Sequence, residues 1–415
     1  MSACPSEAST ARLVRAAFDA ALASVEAASA TRAWLRAHPV PRPVHVLALG
    51  KASIGMTRGA LEACEVRSAL VIAPRGTDPG ELPRSVHLRW GAHPVPDEDV
   101  AVRGAELLAY ARALGPDEDV LVLISGGGSA LVDVPAEGID AEALRRTTRR
   151  LLAAGANIDE LNALRVASSQ LKGGGLARAL APRRVRTLVI SDVVSSSPEA
   201  AARVASGPMS PWRGPSPAEV VARPHVAAVL TPGERARFAA WTPPSGIPRG
   251  TLEVVADNAR AVRAAQAHLE AAGLSVAPGP ALSGEAREAG RAWAHAARAT
   301  PADALVAGGE TVVTVRGRGK GGRSQEVALG ALDAGIEGVL LCAGTDGIDG
   351  PTSAAGACID AEARDALAPG AVRHALDDND AFPLLASAGA LVVTGPTGTN
   401  VADLAIWARA GARRR

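Results

Sequence analysis

Residues 120–133 read VLVLISGGGSALVD: an apolar run ends on Ser125-Gly126-Gly127-Gly128-Ser129, and an apolar pattern then resumes. Glycine loses more backbone freedom on folding than any other residue, so three in succession need a reason. One reason is a tight turn from a strand into a helix. The other is close approach of a ligand, with bare N–H groups facing an anion.

The same grammar recurs on either side. VHVLALG ends on Gly50, ALVIAP on Pro74 and VRTLVISD on Asp192; helical patterns cover 10–38, 98–114, 140–154 and 157–181. Apolar strands without alternation, separated by helices, predict a parallel sheet covered on both faces. Such sheets present ligands beyond the carboxyl ends of their strands. Between 207 and 250 the chain becomes dense in Pro and Gly, which places a boundary near 245. A second series follows: TLEVVAD, helices over 258–272 and 283–299, DALVAGGE, an alternating strand TVVTVRG, GVLLCAGTDG and GALVVTGPTG. The expected class is α/β in two domains, 1–245 and a smaller 246–415.

Composition narrows the function. The 415 residues are 47% hydrophobic and 21% charged with a net charge of +1, which is globular and argues against a nucleic-acid partner. Three Phe, six Trp and one Tyr leave few platforms for base stacking. Cys4, Cys64, Cys342 and Cys358 show neither C-x-x-C spacing nor histidines at zinc-site distance, so a zinc site and a disulfide framework are not expected. Without a signal pattern or a run of about 18 apolar residues, neither secretion nor a membrane partner is expected, and the compartment read is the cytoplasm.

Six segments stand where such sheets display their sites: GKAS (50–53), SGGGSA (125–130), SDVVSSSP (191–198), GRGKGGRSQE (317–326), GTDGIDGPTSAAGA (344–357) and GPTGTN (395–400). Backbone amides and hydroxyls for phosphate oxygens, cations for spreading charge, and carboxylates for Mg²⁺ or a hydroxyl proton are what phosphoryl transfer needs. Each piece alone has a structural alternative. Gly50-Lys51 is not a Walker A loop, because His45 and Ala52 occupy positions that need Gly and Ser or Thr. Lys51 reads equally as a solvated lysine, the glycine triplet as packing, Arg318, Lys320 and Arg323 as an exposed turn, and Asp346 and Asp349 as turn caps. There is no G-x-S-x-G elbow for a hydrolase and no G-x-G-x-x-G for a dinucleotide.

Taken in order, LALGKAS, HPVPDE, LISGGGSALVDVPAEGI, LNALR…LKGGGLAR, LVISDV…ASGP, GGETVVTVRGRGKGGRSQE, AGTDGIDGPTSAAGA and LVVTGPTGTNVADL resemble the type II glycerate kinases over roughly residues 10–410. The resemblance implies a Rossmann-like α/β/α N-terminal domain, a mixed α/β C-terminal MOFRL domain and a site in the cleft between them. It further implies ATP and Mg²⁺ as cofactors, D-glycerate or a related hydroxy acid as substrate, and 2-phosphoglycerate as product. Carried over by motif, Lys51 and Arg323 are the catalytic cations, and Asp192 is the base or metal carboxylate. Ser125, Gly126, Gly127, Gly128 and Ser129 bind an anion. Arg165 and Lys172 match basic positions, and Thr345, Asp346, Thr397, Gly398, Thr399 and Asn400 complete the wall. A homodimer is left open.

Several fittings depart from the family pattern. Ser195-Ser196-Ser197 stand where acidic residues are usual, Val166-Ala167-Ser168 replace a segment with lysine and histidine, and Ser324 and Ser353 replace Asn and Asp. Hydroxyls are poor replacements for carboxylates around Mg²⁺. The alternatives are therefore a divergent member with another substrate or reaction, a ligand-binding paralogue without turnover, and a hydroxypyruvate reductase.

Overall fold

A computed structural model describes residues 7–93, 95–194, 202–244 and 251–411. The chain forms two compact units: one from the described residues of 31–190 and 202–255, the other from 7–30, 191–194 and 256–411. Each is built on its own six-stranded sheet, so the expected α/β class with two sheets is borne out.

In the first unit the strands are β1 (Val44–Leu49), β2 (Val66–Pro74), β3 (Val86–Gly91), β4 (Asp119–Ser125), β5 (Arg184–Ile190) and β6 (Thr251–Ala256). Their order is β3-β2-β1-β4-β5-β6, and the pairs from β3 through β5 are parallel. β1 and β4 are buried almost throughout, as central strands with both faces covered require. The order reverses between β1 and β4, and the carboxyl ends of those strands flank the crevice where such a sheet takes its ligand. Gly50 and the glycine triplet follow these two strands directly.

The second unit has β7 (Val276–Pro278), β8 (Ala304–Gly309), β9 (Val339–Gly344), β10 (Gly356–Ile359), β11 (Leu391–Val392) and β12 (Asp403–Ala408), in the order β11-β10-β9-β12-β8-β7. β7 and β8 are parallel and the other pairs antiparallel. A core around Trp293, Leu329, Leu340 and Trp407 fills the space between this sheet and its helices.

Four local readings are corrected. TLEVVAD is the sixth strand of the first sheet and not the first of the second series; an apolar run carries no label for its sheet. The helix Glu7–Ser24 packs on the helix Asn258–Ala271 and on β9 and β12, in the second unit. The helix read over 157–181 is two, Ile158–Ala167 and Gly175–Leu180. Between them Gly173 and Gly174 adopt φ of 59° and 93° and donate N–H to the carbonyls of Ser206 and Gly207. TVVTVRG forms only an isolated bridge from Val312 to Glu285, its exposed valines finding no sheet face to cover.

Gly50 carries the tightest steric demand of the first sheet. Its φ is +117°, and a Cβ there would lie 2.3 Å from Ser125 Oγ and 2.4 Å from Ser125 O. Gly76, with φ +85°, faces open space. Gly76→Ala is expected to cost about 1–2 kcal/mol from backbone strain alone, and Gly50→Ala about 1–3 kcal/mol more from overpacking, measured by urea unfolding. Equal losses would show that the β1–β4 contact yields freely.

Candidate active site

At the switch point of the first sheet the two turns are cross-tied. Lys51 N–H donates to Gly126 O at 2.9 Å, and Ala52 N–H donates to Ser125 Oγ at 2.9 Å. Gly127, at φ +82°, is left bare between two side chains: a Cβ would lie 3.2 Å from Lys51 Cγ and 3.0 Å from His93 Nε2. The loop bearing His93 is anchored by Asp97, which accepts from Ala92 N–H at 3.2 Å and pairs with Arg75 and Arg103. Ser129 Oγ meets Ser206 Oγ at 2.7 Å. Ser206 lies in a left-handed run, Ala205, Ser206 and Gly207 at φ 54°, 63° and 64°. Two non-glycine residues in succession there store strain of a kind found at ligand sites.

In the second unit the charges gather around Arg323, the first residue of the helix Arg323–Asp333. Its Nη2 donates to Asp403 Oδ1 at 3.0 Å, and Asp403 Oδ2 lies 2.6 Å from Nε as an ion-pair contact. Nη1 pairs with Glu310. Asp349 accepts from the N–H groups of Ser324 and Gln325 at 3.1 and 2.9 Å, so a carboxylate already occupies this helix N-terminus. Burial pushes Asp349 up to about 6 against those donors. It pushes Asp403 up to about 7, with Arg323 opposing and Asp349 and Glu310 adding to it. Burial disfavours the charge of Arg323, but Asp403 and Glu310 outweigh it and the guanidinium titrates above its ordinary value. A crevice of about 600 Å³ is lined in this unit by Asp192, Ser283, Gly308, Glu310, Asn400 and Ala402, among others.

A family model described as a domain of unknown function, DUF4147, matches residues 13–227, and the MOFRL family matches residues 303–403. The D-glycerate 2-kinase of Thermotoga maritima is 37% identical over 385 residues, covering 88% of this chain and 90% of its own. The chain belongs to the glycerate 2-kinase family. The glycerate 2-kinase of Pyrococcus horikoshii is 33% identical over 389 residues, covering 88% of this chain and 86% of its own. The crystal structure of Thermotoga maritima glycerate kinase matches 96% of this chain and 99% of that one, with a TM-score of 0.85 at 33% identity. The family expected from the motifs is borne out.

Within this family member, the structure groups the expected residues in two sets. Lys51 and Ser125 to Ser129 meet at the switch point of the first sheet. Asp192 and Asn400 line the crevice of the second unit, where Arg323 pairs with the lining residue Glu310. Some side chains are already engaged. Ser125 Oγ holds Ala52, and Lys172, 7% exposed, pairs with Asp133. Thr345 Oγ1 donates to Ala402 O, Thr397 Oγ1 to Thr345 O and Thr399 Oγ1 to Val25 O. Asp346 accepts from Ile348 N–H. Gly398, at φ +72°, shapes the turn between the two threonines. Arg165 is half-buried beside Asn162, burial lowers its pKa, and no carboxylate pairs with it among the described residues. Ser195 to Pro198 of SDVVSSSP lie outside the described residues.

Sequence reading missed Glu310, Asp403 and His93. Glu310 follows the glycine pair that ends β8, the same signal that flagged Gly50-Lys51. Asp403 opens a strand as a lone acid among apolar residues, which carries no local mark. No helix of the described residues is long and apolar enough to cross a membrane.

The raised carboxyls have a consequence for stability. An ordinary aspartate titrates near 4, so the folded chain keeps the Asp403 proton to higher pH than the unfolded chain does. Stability must then fall as pH rises from about 4 to about 7, by at most about 1.4 kcal/mol per pH unit from this group. The difference in unfolding free energy between wild type and Asp403→Asn is therefore expected to shrink from pH 5 to pH 7 and level off above. A difference that grows over that range contradicts the buried cluster.

Proposed function

We propose that the protein transfers the γ-phosphoryl group of ATP to a hydroxyl of D-glycerate, giving 2-phosphoglycerate. The observation that supports this most is the bare turn at Gly127. At φ +82° position 127 carries no Cβ, and the side chains of Lys51 and His93 lie directly beside its backbone, a cation and an imidazole next to amides at which an oxyanion can be held. A helix, Gly128–Leu131, starts at the next residue.

ATP and Mg²⁺ fit the donors present. Among the described residues no three His, Cys, Asp or Glu side chains group to hold a metal. Mg²⁺ binds through one or two carboxylates, phosphate oxygens and water, and Asp192 in the crevice lining is one such carboxylate. Asp192 would hold it, or receive the hydroxyl proton of the substrate; bound, the ion would supply neutralising charge. Lys51 in its unit and Arg323 in its own are each a cation suited to charge on phosphoryl oxygens or to the glycerate carboxylate, for which a guanidinium offers a matched fork. The substrate oxygen bonds to the γ-phosphorus while the bond to the ADP oxygen breaks, and no covalent enzyme intermediate is needed.

The strand order β3-β2-β1-β4-β5-β6 is also that of dinucleotide-binding sheets. Gly50-Lys51-Ala52-Ser53-Ile54-Gly55 keeps the outer glycines of that fingerprint, but Ala52 fills the position where a cofactor pyrophosphate needs bare backbone, and its N–H is taken by Ser125. No acid ends β2, which closes on Pro74. This favours phosphoryl transfer over hydroxypyruvate reduction.

Incubation with ATP, Mg²⁺ and D-glycerate is expected to yield 2-phosphoglycerate by phosphorus NMR, with no NADH consumed in the presence of hydroxypyruvate. Lys51→Ala and Arg323→Ala are each expected to lower kcat/KM by about 100-fold, the roughly 2–3 kcal/mol lost with one preorganised donor to a transition state. Turnover of NADH without 2-phosphoglycerate would reverse the assignment.

A further inference from the structure

Arg323 is shared by two carboxylates that differ in their access to water. Asp403, at the start of β12, is 3% exposed, and both its oxygens face the guanidinium. Glu310, beyond the end of β8, is 51% exposed and lines the crevice. Breaking the buried pair strands a charge in a low dielectric. Releasing the exposed partner returns a carboxylate to water at little cost.

We propose that Glu310 is a displaceable occupant of the anion position on Arg323. An incoming oxyanion replaces it at Nη1 while Asp403 keeps the guanidinium in place. This rests on the reading above that Arg323 meets an anion. The exchange conserves charge, because one anion leaves the guanidinium as another arrives. Glu310 thereby acts as a specificity-determining residue. A small monoanion offers Arg323 no more than Glu310 already does. A phosphate meets the guanidinium with more oxygens than the single one Glu310 uses, and wins the exchange.

Titration calorimetry of the full chain with inorganic phosphate tests this in wild type, Glu310→Gln, Arg323→Ala and the double variant. Glu310→Gln is expected to lower Kd about two- to fivefold, the size of a competing partly exposed ion pair. That gain is expected to vanish when Arg323 is absent. A gain that persists without Arg323 would reflect general loss of negative charge and overturn the proposal, as would weaker binding in Glu310→Gln or phosphate binding in none of the proteins. Should Arg323→Ala fail to fold, Arg323→Gln keeps a donor toward Asp403 and serves instead. Turnover of D-glycerate with ATP is assayed separately on the wild type: its absence refutes the kinase reading and leaves the comparison of Kd values intact.

Discussion

The carboxyl ends of β1 and β4 run so close that position 50 admits hydrogen and nothing larger. Much of the first unit's chemistry follows from that contact. Because the strands touch, the Ser125 hydroxyl reaches Ala52 N–H and the Lys51 amide reaches Gly126 O. Those bonds hold Lys51 over the glycine triplet while the neighbouring crossovers diverge. The hydroxyl of Ser125 is therefore spent on holding the two turns together, and Gly127 is the member of the triplet that lies beside Lys51 and His93.

The glycine-rich turn of the second unit has another origin. Arg316 and Gly317 donate N–H to Asn379 Oδ1, Arg318 to Asp378 and Lys320 to Asp380. A Cβ at Gly317 or Gly319 would lie 2.2 Å from Asp378 Oδ1 or 2.4 Å from Asp380 Cβ. These glycines let one backbone lie on another, so the turn spends its amides internally. Its contribution to the site is Arg323, delivered to the head of a helix whose own N–H groups Asp349 has claimed. The unit thus buries Asp349 and Asp403, and that burial raises both against the opposing charge of Arg323.

The sheet architecture was legible because buried parallel strands and their Gly or hydroxyl ends leave a pattern in neighbouring residues. Lys51 and Asp192 stand beside such ends, but their roles, like that of Arg323, are what the family resemblance implies. What escaped depended on distant partners. Asp403 matters only because residue 323, eighty positions away, lies against it; nothing near Ala402-Asp403-Leu404 announces this. Thr345 and Thr399 looked like ligand hydroxyls because a threonine in a turn is the same residue whether it faces solvent or a carbonyl. The strand 251–256 was put with its sequence neighbours because a six-residue apolar run fits any sheet edge.

The helix Glu7–Ser24 buries Thr10, Val14, Ala17, Phe18 and Ala21, and its ends are tied by Glu7 to Arg364 and, just beyond Ser24, by Val25 O to Thr399. Every one of these partners lies in the second unit. During synthesis this helix must therefore keep an apolar stripe uncovered until β9 and β12, more than three hundred residues later, have been made. The sheet of residues 44–256 can assemble while that helix waits. The order of translation and the order of packing run against each other in this protein.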